Sequence, residues 1–426
     1  MKREISVLTI LLFCSGILVN AQSLKFDLGA GKNNAGRTLI QSSDVYTKEK
    51  GYGFELGAEL SCSASGGKKN AGFCGSKKPF YFSAAVPEGN YRVTITFGSK
   101  TDSSVSTVKT ELRRLMLERV ETPKGRFAIA SFIVNVRTPN IAGYGEVKLK
   151  DRERTTEWRP WDEKLTLEFD NSHPVVDSID IERVDVPTIY LLGDSTVCDQ
   201  PLEPYASWGQ MLTRFFGTGV AIANHAESGE SLRSSLGAKR LDKVLSLIKP
   251  GDFLLVQYGH NDEKEKGEGV GAFTTFKSDL KFFVESARKK GAYPVLITPV
   301  QRRTFDKDGK VVTNSHGDYP EAVRQAALEE KVPLIDLNAM SKVLYEAFGK
   351  DGSGILFKQG DGTHHNNYGS YELAKCIVEG IKTDKLSIAK FLVNDVAAFD
   401  PAHPDPIAKF DVPASPISTN TKPLGN

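Results

Sequence analysis

Pro187-Thr188-Ile189-Tyr190-Leu191-Leu192 runs without a charge into Gly193-Asp194-Ser195-Thr196, and this junction decides the fold of the second half of the chain. An apolar run this short, with no polar residue at alternate positions, has the texture of a parallel strand buried on both faces. Gly193 permits backbone angles closed to other residues. Three small polar side chains follow it, just past a strand's carboxyl end, where open α/β sheets collect their ligands. Ser195 is therefore the candidate nucleophile. The same Asp-Ser-Thr is also ordinary helix-capping chemistry, and a serine hydroxyl reacts only when a base, an orienting group and oxyanion donors surround it. The rest of the chain has to supply them.

Downstream of Val186, further apolar runs at 219–224, 252–258, 293–298 and 332–337 alternate with helical patterns over about 236–248, 273–290, 320–330 and 368–381. Strand and helix in alternation predict a parallel sheet covered on both faces, an α/β domain over 186–395. Upstream, residues 22–185 show short strands with turn signals between them, at 80–86, 91–97, 126–134 and 164–169, the pattern of an all-β sandwich. The stretch from Leu112 to Val120 fits either a helix or an arginine-rich strand. Trp158 and Trp161, on either side of Arg159-Pro160, offer rings that can stack on a sugar or pack in a core. Residues 396–426 are Pro-rich and predict an extended tail.

Bulk properties set outer limits. A chain of 426 residues exceeds one ordinary core and favours two domains. A formal charge of +2 with Lys and Arg scattered gives no footing for nucleic acid or an anionic membrane. Lys2 and Arg3 precede an apolar segment from Ile5 to Val19, and Val19-Asn20-Ala21 supplies small residues before a cut. This predicts a signal peptide over 1–21 and a periplasmic or secreted protein with no membrane insertion afterwards. In an oxidising compartment Cys62 and Cys74 are placed to close a small disulfide, and Cys198 and Cys376 read as buried thiols.

Among seven histidines, His364 in Asp361-Gly362-Thr363-His364 is the candidate base. An aspartate three residues earlier can reach its ring within one turn and fix the tautomer. His365 is the adjacent competitor, and a metal cluster of Asp361, His364 and His365 with His260 and Asp262 is the rival reading of the same residues. Two post-strand loops can furnish oxyanion donors: Asn224 to Ser231, where Gly229 lets a backbone N–H approach, and Tyr258 to Asp262, where Asn261 presents a carboxamide.

Ser, Gly, Asn and Asp-x-x-His on four successive blocks resemble the SGNH (GDSL-like) hydrolases. The blocks are Gly193-Asp194-Ser195, Gly229, Gly259-His260-Asn261-Asp262, and Asp361 with His364. Asp194-Ser195-Thr196-Val197, Trp208-Gly209-Gln210-Met211-Leu212, Asn224-His225-Ala226, Thr298-Pro299-Val300-Gln301-Arg302-Arg303 and Asp361-Gly362-Thr363-His364 narrow this to the rhamnogalacturonan acetylesterases. Phe26-Asp27-Leu28-Gly29 and Gly51-Tyr52-Gly53-Phe54-Glu55 resemble a galactose-binding-like sandwich. The resemblance implies a flavodoxin-like three-layer α/β/α hydrolase domain behind an all-β domain. It also implies deacetylation of pectic polysaccharide or oligosaccharide with no cofactor or metal. The implied catalytic residues are Ser195, Asp361 and His364, and the implied oxyanion hole is Ser195 N–H, Gly229 N–H and Asn261. Arg233, Arg302 and Arg303 are candidate contacts for galacturonate carboxylates. Glu230 stands where these enzymes usually carry an arginine. Deacetylation of xylan or another glycan, and an inactive glycan-binding protein, are the alternatives.

Overall fold

The computed structural model describes residues 23–32, 34–64, 72–417, 419, 421, 423 and 424. The expected signal segment, 1–21, lies outside them. Five strands, Thr188–Gly193, Ala221–Asn224, Phe253–Gln257, Tyr293–Ile297 and Leu334–Ile335, pair in parallel. Ala221–Asn224 is outermost beside Thr188–Gly193, and the other three follow on the opposite flank in chain order. The chain thus leaves the first strand to one side and returns to the other, and this reversal opens a crevice at the carboxyl end of Thr188–Gly193.

Alternation along that strand divides the core in two. Ile189 and Leu191 join Ile222, Leu255 and Ile297 under the helices Trp208–Leu212, Leu337–Gly352 and Asn367–Thr383. Tyr190 and Leu192 join Ala223, Leu254 and Leu296 under Arg240–Leu247, Lys277–Lys289 and Tyr319–Glu330. Successive side chains of a strand point to opposite faces, so an unbroken apolar run is what a sheet between two helical layers requires.

Several expected elements change shape for local reasons. The single helix expected over 236–248 is two, Leu232–Gly237 and Arg240–Leu247, because Lys239 adopts a left-handed φ of 62° between them. The helix expected from 273 opens with a wide π turn at Ala272–Phe276 before Lys277–Lys289. The run 332–337 keeps only Leu334–Ile335 as strand. The Asp336 side chain accepts the Ala339 N–H and starts the helical segment Leu337–Gly352, kinked at Gly349 with a left-handed φ of 68°, which apolar spacing had not placed.

The N-terminal half is all-β. One sheet runs Phe127–Val136, Gly89–Gly98, Val175–Arg183, Ser23–Leu28, Thr38–Ile40, and the other runs Tyr52–Phe54, Phe80–Ala85, Lys164–His173, Ser104–Thr110, Arg114–Thr122. The ambiguous 112–120 stretch is therefore strand from Arg114 onward, after a turn at Glu111 to Arg113. Phe26, Phe54, Phe82, Val93, Ile95, Leu167 and Ile179 are among the buried side chains between the sheets. A disulfide joins Cys62 to Cys74 on the paired strands Ser61–Ser63 and Phe73–Gly75, while Cys198 and Cys376 are buried free thiols.

The two halves engage one another at buried polar contacts. The turn at Glu111 to Arg113, with left-handed φ of 55° and 65° at its ends, pushes Arg113 toward the carbonyls of Gln200 and Tyr205, at 3.0 and 2.8 Å. Arg114 Nε pairs with Asp199 at 2.8 Å, and Leu115 enters the core of the parallel-sheet half. From Pro139 the chain leaves the sandwich, forms the short helix Asp151–Thr155 and the 3-10 turn Arg159–Trp161, and returns. Trp161 is only 8% exposed, with its indole N–H on Glu153. Of the two tryptophans read as able to stack on a sugar or to pack, Trp161 packs, and Trp158 presents a partly open ring. The Pro-rich tail is extended but anchored: Lys109 Nζ donates to Pro413 O and Ser415 Oγ, and Ser415 N–H to Glu203.

Candidate active site

Gly193 ends the first strand where the close approach of Val197 and the Gln257 carbonyl leaves no room for a Cβ, 2.5 and 2.7 Å from where one would sit. Only glycine fits there, and the chain turns at the residues that follow. Asp194 caps this turn, its Oδ1 accepting Thr196 N–H and Oγ1–H at 2.9 and 2.8 Å. Gln257, at the end of a neighbouring strand, donates to Thr196 Oγ1 at 2.6 Å and accepts the Trp208 indole N–H at 2.8 Å. Gln200 donates to Ser195 O at 2.7 Å. Capping chemistry is thus present, and it leaves the Ser195 hydroxyl free for another partner.

That partner is His364, whose Nε2 lies 3.0 Å from Ser195 Oγ, 169 residues away in sequence. On the far side of the ring, Nδ1 is 3.0 Å from Asp361 Oδ2. Asp361 Oδ1 accepts the backbone N–H groups of Thr363 and His364 at 2.9 and 3.1 Å, so one carboxylate fixes both the turn and the imidazole. Burial works to raise the Asp361 carboxyl, but the His364 contact and the two N–H donors hold it well below the usual carboxylate range. The helix that follows is capped by Asn366, not by Asp361.

The competing histidine goes elsewhere. His365 Nε2 meets the Tyr345 hydroxyl at 2.7 Å against the ring of Phe357, and burial lowers it to about 3, so it is a neutral core residue. His260 is sealed beside Asp194 at 3.3 Å, a contact without hydrogen-bond alignment, and burial lowers it to about 4. Asp262 accepts the Leu232 N–H at the start of the next helix, and burial pushes its carboxyl well up. Among the described residues no group of three or more His, Cys, Asp and Glu is arranged to hold a metal ion.

The two loops expected to offer donors lie side by side. Gly229 has a left-handed φ of 75°. Asn261 Nδ2 donates to Glu230 O at 2.9 Å, tying one loop to the other. Glu230 is buried between Lys150 Nζ, 2.9 Å away, and Arg240. A carboxylate there answers one cation of the N-terminal half, Lys150, and one of its own half, Arg240, contacts that spacing along the chain had not signalled.

The three arginines read as substrate contacts separate. Arg302 is paired with Glu263 at 2.5 Å. Arg303 donates Nε to Ser353 and its backbone N–H to Gly362 O at 2.7 Å, bracing the Asp361–His364 turn. Arg233 is about half exposed, with Asp279 at 3.6 Å. A groove of about 400 Å³ is lined by Arg152, Glu157, Gln200, Tyr205 and Ser228 together with tail residues such as Thr419 and Leu424; Ser195 and His364 are not in its wall, and Tyr205 links it to the site, its ring edge-on to His364 at 5.9 Å. A larger cavity of about 540 Å³ near Phe253, Tyr293 and Ser387 opens at the amino ends of the strands and holds none of these residues.

Residues 191–370 match the GDSL-like Lipase/Acylhydrolase family, and residues 24–119 match a Beta-agarase/YXIM esterase-like, galactose-binding domain-like family. The chain is 41% identical to the rhamnogalacturonan acetylesterase RhgT of Bacillus subtilis over 48% of this chain and 94% of that protein. It is 36% identical to the probable rhamnogalacturonan acetylesterase YesY of the same organism over 49% and 98%. It is 29% identical to the uncharacterized esterase YxiM, also of B. subtilis, over 87% and 95%.

Proposed function

We propose, for a chain that belongs to the GDSL-like lipase/acylhydrolase family and carries a galactose-binding-like domain ahead of its hydrolase domain, that it is an exported serine esterase removing O-acetyl groups from pectic rhamnogalacturonan. The observation that carries the reading is the line Ser195 Oγ–His364 Nε2–Asp361 Oδ2, with both separations at 3.0 Å. In the first half-reaction the Ser195 oxygen bonds to the acetyl carbonyl carbon while its proton passes to His364 Nε2. Asp361 stabilises the imidazolium. The negative oxygen is met by the N–H groups of Ser195 and Gly229 and by the carboxamide of Asn261, whose second hydrogen is not spent on Glu230. His364 then gives the proton to the departing sugar oxygen, the C–O bond to the sugar breaks, and an acetyl-serine remains. Water, deprotonated by His364, adds to that acetyl group, and its collapse releases acetate and restores the Ser195 hydroxyl.

Export accords with the Lys2–Ala21 segment and with a disulfide at Cys62 and Cys74, since such bonds persist in oxidising compartments. The pectic substrate rests on likeness to relatives named as rhamnogalacturonan acetylesterases. Arg233, the more open of the three arginines, is the proposed contact for a galacturonate carboxylate. The test is acetate release by wild type and Ser195→Ala from acetylated rhamnogalacturonan and acetylated xylan side by side. The expected result is faster release from rhamnogalacturonan and a loss of at least about 10³-fold in the variant. Faster release from xylan would reassign the substrate, and an active Ser195→Ala enzyme would end the serine mechanism.

A further inference from the structure

A peptide unit is planar and trans, so its C=O and its N–H point in opposite directions. Whatever holds the carbonyl of Ser228 therefore aims the N–H of Gly229. Two cations of the N-terminal half hold it: Lys150 Nζ donates to Ser228 O at 2.7 Å, and Arg152 Nη2 donates to the same oxygen. Each is steadied by a carboxylate of the same loop, Lys150 by Glu230 at 2.9 Å and Arg152 by Glu227. The helix that carries them is itself fixed. Glu153 accepts the Lys150 backbone N–H at 2.8 Å, grips Arg240 with both oxygens at 3.0 and 2.7 Å, and takes the Trp161 indole N–H at 3.0 Å.

The other donor peptide needs no such help. The Asp194 carbonyl, which shares its peptide with the Ser195 N–H, accepts the N–H groups of Val197 and Cys198 from its own turn, both at 3.0 Å. Gly229, at a left-handed φ and without a Cβ, has little of its own to resist rotation of its peptide. Two positive charges on a carbonyl also polarise the amide, which makes its N–H a stronger donor.

We propose that Lys150 and Arg152 are positioning residues of this active site, holding the Ser228–Gly229 peptide so that the Gly229 N–H faces the oxyanion. The proposal rests on the reading of Gly229 as an oxyanion donor. It makes residues 150–153, which precede the hydrolase domain, part of the catalytic apparatus, and the N-terminal half more than an appended sugar-binding module.

The test uses the full chain with p-nitrophenyl acetate, comparing Lys150→Met, Arg152→Met, the double variant, and the conservative Lys150→Arg and Arg152→Lys. An oxyanion donor is worth on the order of 10²–10³ in rate, so kcat of the double variant falls by about 10²-fold, while KM stays within about twofold because the ground-state ester gains little from the hole. Inactivation by a phosphonate ester, which forms a tetrahedral anionic adduct on serine, slows in step with kcat, and Lys150→Arg recovers part of the loss. Unchanged kcat in the double variant overturns the proposal. So does a loss that appears in KM, or one that leaves phosphonate inactivation at the wild-type rate. Should the double variant not fold, Lys150→Met alone, whose side chain is 31% exposed, carries the same kcat, KM and phosphonate comparison. Ser195→Ala in parallel keeps the two questions apart: its full activity would remove the underlying reading, whereas its inactivity beside an unimpaired double variant would remove the positioning role alone.

Discussion

Asp361 commits one carboxylate oxygen to the backbone of its own turn and the other to the ring of His364. Replacing it with Asn keeps the shape but allows an N–H to face Nδ1, which favours the wrong tautomer. Asp361→Asn is expected to lower kcat by about 10²–10⁴-fold with the fold intact, read by steady-state kinetics beside a circular-dichroism spectrum. A few residues away in space, Glu157 illustrates the opposite electrostatics. Burial raises its carboxyl from 4.5 to about 7 against the pull of Arg152. A carboxyl raised by folding binds its proton more tightly in the native state, so its contribution to stability falls as pH rises from about 4.5 to about 7. Glu157→Gln is therefore expected to gain stability relative to wild type across that window, on the order of 1–2 kcal/mol by urea denaturation at pH 4.5 and pH 7.5. A constant difference between the two pH values would contradict this. The grouping of Ser195 with Asp361 and His364 was legible because the chemistry demands few residue types and the chain has few histidines. Lys150, Arg152 and Gln200 were not, because a lysine or glutamine that acts on a backbone carbonyl leaves no pattern along the chain.

Elements were readable where burial repeats with a period and hidden where a single side chain decides. Thr188–Gly193 and Phe253–Gln257 announce themselves because both faces of each strand are covered. The helix Leu337–Gly352 was missed because its start is set by the Asp336 cap at the end of an apolar run that already read as strand. Asp151–Thr155 is a five-residue helix with no apolar period, held from outside by Arg240. The paired strands bearing Cys62 and Cys74 supply an element-scale prediction. Their disulfide closes a loop with a sequence separation of 12, which by the chain-entropy account stabilises by about 3 kcal/mol. Cys62→Ser with Cys74→Ser is expected to lower stability by about 2–3 kcal/mol and to leave kcat for acetyl esters unchanged, since the two strands pair with each other, and Phe73–Gly75 with Val175–Arg183, in the N-terminal sheet. A loss of kcat at temperatures where the variant is fully folded would contradict that separation.

At the scale of the whole molecule, the sandwich and the parallel-sheet half are joined by buried ion pairs. Arg113, Arg114 and Lys109 reach Glu203, Asp199 and the anchored tail, and Arg240 reaches back to Glu153. Parting the halves would break these pairs and uncover Leu115, which sits in the core of the parallel-sheet half. The full chain is accordingly expected to unfold in one calorimetric transition, and two well-separated transitions would contradict the interlock. Two domains were readable from the break in texture near Val186, but their mutual dependence was not, because it is carried by arginines whose partners lie 75 residues or more away. All of this machinery has meaning only if Ser195 is the atom that takes the acyl group. The direct measurement is rapid quench of the full chain during turnover of an acetyl ester, followed by peptide mass spectrometry. An acetyl group on the peptide carrying Ser195, absent from Ser195→Ala and accumulating in step with the first turnover, is the predicted result. Turnover with no acetylated Ser195, or with the acetyl group on another residue, would contradict the account.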